Sequence, residues 1–227
     1  MNRRDFLDWL YEYCKGGQVE TRALPARKQA FHDRGDWNSV DKFCKTHSRQ
    51  NLYFAVATRN GGGGKEFIAE IPGVWADIDF KDYPDIATAK KAVFGFPLRP
   101  SVMLETGGGY HALWRLKEPA GKDEISDIEK ILKGIAHHLG ADQQATDASR
   151  ILRLPETANH KYEHKPAVKV VWDNRQLEYN PADFDDHLSL YKLEIVSDYP
   201  LYHPAIDSKK AGLARDIAGQ SVTYLTL

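Results

Sequence analysis

Three features of the 227-residue chain predict an α+β fold with an antiparallel or mixed central sheet. Helical periodicity dominates the first fifty residues, and period-two alternation takes over after them. Glycine turns then join neighbouring strands locally, with helices between the pairs. The length suits one substantial core or two closely packed lobes.

Residues 4–14 form an amphipathic helix stopped by Gly16-Gly17. Residues 22–34 are basic and read as partly helical. A second helix over 36–45 puts Val40, Phe43 and Cys44 on its apolar side. Residues 51–58 alternate, 60–64 make a glycine turn, and 67–71 return as a hairpin partner. The four-glycine run lacks the Gly-Lys-Ser/Thr ending of a P-loop and reads as a hairpin tip. Asp85 caps a helix through about Val93, ended by Gly95-Phe96-Pro97. Residues 101–105 and 110–116 pair around Thr106-Gly107-Gly108-Gly109. The strongest helix is 122–139, with Ile125, Ile128, Ile131, Leu132, Ile135 and Leu139 at core spacing. His137 and His138 at its end read as partners of the helix dipole. A short strand over 168–172 and a helix opened by Asn180-Pro181 follow. Beyond Leu190 no periodicity is evident, which marks 191–227 as an extension or linker.

Composition narrows the function. With 31 Lys/Arg against 32 Asp/Glu, the net charge of −1 gives no global attraction to nucleic acid. Residues 1–50 carry a net +3 and the remainder −4, so any such binding rests on local patches. The stretch Arg22–Lys45 is one, with Trp37 and Phe31 as stacking or core residues. Cys14 and Cys44 sit among apolar neighbours and read as buried thiols. No apolar run reaches membrane-span length and no signal-peptide core is seen, so a cytoplasmic protein is expected.

The most informative segment is Val74-Trp75-Ala76-Asp77-Ile78-Asp79-Phe80. Strand alternation puts Val74, Ala76, Ile78 and Phe80 on one face and Trp75, Asp77 and Asp79 on the other. The two carboxylates then lie roughly 7 Å apart, an arrangement that suits hard divalent cations. In the second motif, Gly107-Gly108-Gly109-Tyr110-His111, side-chain-free backbone can approach a phosphate. If its strand joins the same sheet, His111 can share the face of Asp77 and Asp79. The third motif runs from Thr146 through Asp147, Arg150, Arg153 and Pro155 to Asn159 and Lys161. It adds a carboxylate together with Arg and Lys chemistry suited to a triphosphate. Asp142 competes for the third carboxylate, but its place after Gly140 reads as a cap.

In order and spacing these motifs resemble the archaeo-eukaryotic primase superfamily, and within it the primase-polymerases and RepB-like plasmid primases. The resemblance spans about residues 50–172. Asp77 and Asp79 match its strand-borne Asp-x-Asp, and Gly109-Tyr110-His111 matches its glycine turn ending in His. Asp147, Arg150 and Arg153 match its Asp followed by Arg-x-Leu-Arg-Leu-Pro. Gly109 departs from the family's frequent Ser and offers no hydroxyl. The resemblance implies a two-lobed α/β core, one lobe being a sheet related to the RNA-recognition fold. The catalytic domain would cover 1–190, with 1–50 a helical basic segment and 51–190 the catalytic sheet and helices. It further implies template-directed nucleotidyl transfer that makes or extends primers on single-stranded DNA, in a plasmid or phage replication setting. Asp77, Asp79 and Asp147 would hold two Mg²⁺ or Mn²⁺ ions. Gly108, Gly109, His111, Arg150, Arg153 and Lys161 would bind the nucleoside triphosphate, Arg153 alternatively steadying an Asp. A helicase or a helical accessory domain is the implied partner, and the chain is expected to extend primers better than it starts them. Two rivals remain: an Asp-x-Asp nucleotide-sugar glycosyltransferase, which leaves the basic cluster unexplained, and a non-catalytic nucleic-acid-binding module.

Overall fold

Long-range strand pairing, more than local helix propensity, organises the N-terminal part of this protein, for which a computed structural model describes residues 1–188. Helix α1 (Arg3–Tyr11) begins at a capping box, Asn2 accepting from the Asp5 N–H at 2.9 Å, and buries Phe6, Leu7 and Leu10. Strands β1 (Val19–Leu24) and β2 (Lys28–His32) follow as an antiparallel hairpin. The expected helical character of residues 22–34 is therefore corrected, as is the picture of 1–50 as a helical segment. Ala23, Ala26, Lys28 and Gln29 favour helix, yet β1 finds a second neighbour in β3 (Asn51–Ala55), and that pairing overrides the propensity. Helix α2 (Trp37–Thr46), capped by Asp36, closes the region. Trp37 lies in the core and donates its indole N–H to Asp8 at 2.5 Å, so it presents no stacking surface.

The two-lobed α+β core takes the form of two sheets, where strand alternation alone suggested one central sheet. The first has the order β2-β1-β3-β7, with β7 at Ile151–Arg153. The second has the order β4-β6-β5-β8, formed by β4 (Glu70–Asp79), β6 (Gly109–Gly121), β5 (Val102–Glu105) and β8 (Lys169–Asp173). Strand β9 (Glu178–Tyr179) adds in parallel to β6. The segment 67–71 returns as expected, but it pairs with residues 58–60 and not with β3 itself: the Thr58 N–H donates to the Glu70 carbonyl and the Ala69 N–H to the Thr58 carbonyl, both at 2.9 Å. It then enters β4, which pairs with β6.

Helix α3 (Ile86–Gly95) starts at Asp85 as expected, and α4 (Ile125–Leu139) packs on β4. His138 sets its ring against Phe96 at 5.0 Å. Both faces of β4 are covered: Trp75 is buried and donates its indole N–H to the Ala145 carbonyl at 2.8 Å. That contact lays residues 142–146 across the strand face that carries Asp77 and Asp79. Cys14 and Cys44 are buried and free, and burial pushes their thiols up to about 12 and about 11. Among the described residues no helix is long and apolar enough to cross a membrane. The expected boundary at 190 and the extension 191–227 lie outside the described residues.

Candidate active site

Register builds the site. In the β4–β6 ladder Asp77 stands opposite His111 and Asp79 opposite Gly109, so both carboxylates and the imidazole share one sheet face. His111 Nε2 lies 3.5 Å from Asp77 Oδ1, and its Nδ1 is buried without a hydrogen-bond partner. From the other sheet, β3 and β7 bring Tyr53, Ile151 and Arg153 to the same place. These groups, with Thr106, Gly108, Gly109, Arg150, Asn159, Lys161 and Tyr162, line a pocket of about 300 Å³. A larger groove of about 860 Å³ lies beside α1, where Asp5, Asp8, Glu12 and Asp173 outnumber Arg115 and Arg175, and none of the motif residues lines it.

The turn at 106–109 is tight: the Thr106 N–H donates to the Gly109 carbonyl at 2.9 Å, and Gly107 takes φ +84°. Gly108 accepts the Phe80 N–H through its carbonyl at 2.9 Å. The absence of Ser at position 109 has a steric cause. A Cβ there would stand 2.0 Å from the Ile78 carbonyl oxygen, so the ladder beside Asp79 demands glycine. We expect Gly109→Ser to spread β4 from β6 and cost about 1–3 kcal/mol, the usual range for overpacking. Differential scanning calorimetry would show this as a Tm lowered by several degrees; an unchanged Tm would contradict it.

Cations hold both carboxylates of β4. Burial raises the pKa of Asp77, but the His111 and Arg150 charges beside it prevail and hold it below the usual carboxylate range. Arg150 Nη2 lies 3.6 Å from Asp77 Oδ2 and 3.5 Å from Asp142 Oδ2. Lys81 pairs with Asp79 at 2.6 Å.

The third carboxylate is placed differently from the expectation. Like Asp142, Asp147 does not line the pocket. One of its oxygens accepts the Ser149 N–H at 2.7 Å and the Ser149 hydroxyl, and the other pairs with Lys65 at 3.1 Å. Burial raises its pKa, and the Ser149 bonds and Lys65 more than offset that. Asp142 is the carboxylate brought to Asp77: its N–H donates to the Asp77 carbonyl at 3.0 Å, and the two side chains share Arg150. It also caps the following turn, accepting from the Gln144 N–H at 2.8 Å. Capping chemistry was legible in the sequence; the contact with Asp77 was not.

The basic wall is braced from behind. Arg153 donates to Asn51 at 2.8 Å and lies over the Tyr53 ring, so its partners are not carboxylates. Buried Asn159 donates to the Thr106 carbonyl at 2.7 Å and accepts the Lys161 N–H at 3.0 Å, joining the glycine turn to the lysine loop. Lys161 and Tyr162 complete the rim. Tyr53 and Tyr162 carried no sequence signal, because aromatic residues are usual in a core.

Two carboxylates and a histidine from one sheet thus share a pocket with arginines at the edge of the second. Residues 78–190, which include every motif residue except Asp77, match the family model of the RepB DNA-primase N-terminal domain. The fold is similar to the archaeo-eukaryotic primase domain of the cyanophage S-2L primase-polymerase. That likeness has TM-score 0.62 at 18% identity and covers 82% of this chain and 97% of that one. It is also similar to the catalytic domain of primase RepB′ in complex with initiator DNA, with TM-score 0.56 at 13% identity, over 86% of this chain and 97% of that one. Another RepB′ structure gives TM-score 0.57 at 13% identity, over 96% and 68%. No curated protein sequence matches the chain. Residues 78–190 thus carry a RepB-like primase domain, and the fold is similar to that of archaeo-eukaryotic primase catalytic domains. Its function is DNA primase-like.

Proposed function

We propose that the pocket between the two sheets joins nucleotides on a single-stranded DNA template, synthesising or extending primers from nucleoside triphosphates. The observation that carries this reading is the convergence of Asp77, Asp79 and His111 from one sheet with Arg150, Arg153 and Lys161 across the pocket. Acid on one wall and base on the other is what a metal-bound triphosphate requires.

Among the described residues no three His, Cys, Asp or Glu side chains are gathered as a ready metal group. The donor chemistry nevertheless fits Mg²⁺ or Mn²⁺: Asp77 and Asp79 line the pocket, Asp142 adjoins Asp77, and all offer hard oxygen ligands. We assign the third carboxylate to Asp142 in place of Asp147. When bound, such ions make the attacking 3′-hydroxyl more acidic and neutralise the leaving pyrophosphate. Arg150 and Lys81 neutralise the three carboxylates, a duty that bound ions would take over. Arg150 would then be free for the phosphates, where its planar fork can bind two oxygens. Lys161 adds a point charge at the rim, and Arg153, held by Asn51 and Tyr53, keeps a fixed positive field behind it. His111 donates a hydrogen bond to a phosphate oxygen and keeps the triphosphate close to Asp77.

His111→Ala should raise the nucleotide KM about ten- to a hundredfold, since a hydrogen bond to a charged group contributes about 1.5–3 kcal/mol. Steady-state extension assays at varied nucleotide, alongside template binding by fluorescence anisotropy, separate the two effects. A fall in template affinity with KM unchanged would remove His111 from the triphosphate. The proposal as a whole is tested by incubating an unprimed single-stranded template with all nucleotides and Mg²⁺ or Mn²⁺. Gel-resolved products of template-dependent length are expected; their absence on primed and unprimed templates alike would refute it.

A further inference from the structure

Arg59 and Glu20 are both fully buried, and they pair at 3.2 Å through Arg59 Nε and Glu20 Oε2. A buried ion pair is poor evidence for stability, because apolar residues of similar volume often serve as well. This one is tied in on both sides. Glu20 also accepts from Gln29 at 2.6 Å and from Arg22, which anchors it to the β1–β2 hairpin. The backbone of Arg59 exchanges hydrogen bonds with Gln18 at 2.8 Å in both directions, so its Cα is fixed to the strand region before β1. From there Arg59 Nη2 reaches Ser149, ninety residues further along the chain, and donates to its carbonyl at 2.9 Å. Arg59 Nη1 is buried without a partner, a cost that the contact with Ser149 has to justify.

Ser149 directly precedes Arg150 in a tight turn closed by the Arg150 N–H donating to the Asp147 carbonyl at 2.9 Å. The same turn is held by Glu129, which accepts the Ala148 N–H at 2.9 Å. Its Ala148, Ser149 and Arg150 N–H groups and its Asp147 and Ser149 carbonyls are thus committed, and the side chain that leaves it is the guanidinium shared by Asp77 and Asp142. We infer that the Glu20–Arg59 pair is a positioning device: it fixes the turn 147–150 against the first sheet and so sets where Arg150 meets the triphosphate. The inference rests on the nucleotidyl-transfer reading of the pocket. Geometry of this kind matters because displacing a binding group by about 1 Å can cost on the order of a hundredfold in rate.

Arg59→Lys keeps the charge opposite Glu20 but has no fork to reach Ser149 as well. We expect it to fold with a Tm near that of the wild type and to raise the nucleotide KM about tenfold, leaving template affinity unchanged. Hydrogen exchange gives a readout that needs no activity: the amides of residues 148–151 should exchange faster in the variant while those of β4 and β6 do not. The double variant Glu20→Gln/Arg59→Met removes both charges together and should show the same KM rise and the same local exchange. Failure of both variants to fold would make the pair a stability element and overturn the inference. So would a folded variant with unchanged KM and exchange, or one in which KM, template affinity and Tm all worsen together. If the wild type makes no product while exchange rises only at 148–151, positioning of the turn stands and the nucleotidyl-transfer reading falls.

Discussion

Asp77→Asn should lower nucleotide incorporation by on the order of a hundred- to a thousandfold, the scale on which a single preorganised electrostatic contact acts. Asn keeps the shape of Asp in β4 and removes one negative charge from a spot faced by both His111 and Arg150. Arg150 would be left with Asp142 as its carboxylate partner, and a metal would lose a ligand. The fold should survive, at a cost of about 1–3 kcal/mol for the lost charged contacts. The pH dependence follows from the direction of the shift. The folded-state pKa of Asp77 lies below its unfolded value, so the wild type holds this contribution at neutral pH and loses it as pH falls through the folded value. Asp77→Asn should therefore be less stable than the wild type at neutral pH, with the gap closing in acid. Extension gels and thermal melts from pH 7 downward check both statements. Retention of more than a few per cent of activity would count heavily against the assignment.

The second large effect reverses the order in which the sequence ranks two aspartates. Asp142→Asn should impair synthesis about as severely as Asp77→Asn, whereas Asp147→Asn should stay within a few-fold of the wild type. The difference lies in what each oxygen touches. Asn at 147 retains an acceptor for the Ser149 N–H and hydroxyl, and loses a pair with Lys65 in which the side chains are 46% and 42% exposed. Exposed pairs of that kind contribute about 0–1 kcal/mol. Asn at 142 retains the cap on Gln144 but removes the charge that shares Arg150 with Asp77. Parallel kcat and KM measurements on the two variants decide the matter. An inactive Asp147→Asn beside an active Asp142→Asn would return the role to Asp147.

What the sequence revealed follows the range of the forces involved. Alternation in Val74–Phe80 and in Tyr110–Leu116 fixed which residues share a face, because pleating is local and a one-residue slip would expose the core. The pairing of Asp77 with His111 then followed once the two strands met. Capping at Asp85 and the periodicity of α4 were equally local. Three features were not legible, each for want of a distant partner. The β1–β2 hairpin depends on β3, so its helix-favouring composition misled. Asp142 gains its place from a backbone contact with Asp77, sixty-five residues earlier. Arg59 carries no signal in the sequence, because its role depends on Ser149, ninety residues further along. The Gly61–Gly64 run does not line the pocket: the Gly63 carbonyl accepts from Arg22 at 2.8 Å, which suits a loop tip and not a phosphate cradle.

The central claim is that one pocket holds both the catalytic ions and the triphosphate. Anomalous diffraction from crystals soaked with Mn²⁺ and a non-hydrolysable nucleoside triphosphate tests it most directly. The account predicts manganese peaks against Asp77, Asp79 and Asp142, with the triphosphate on His111, Arg150 and Lys161. Manganese against Asp147 and Glu129, or a triphosphate seated outside this pocket, would contradict it.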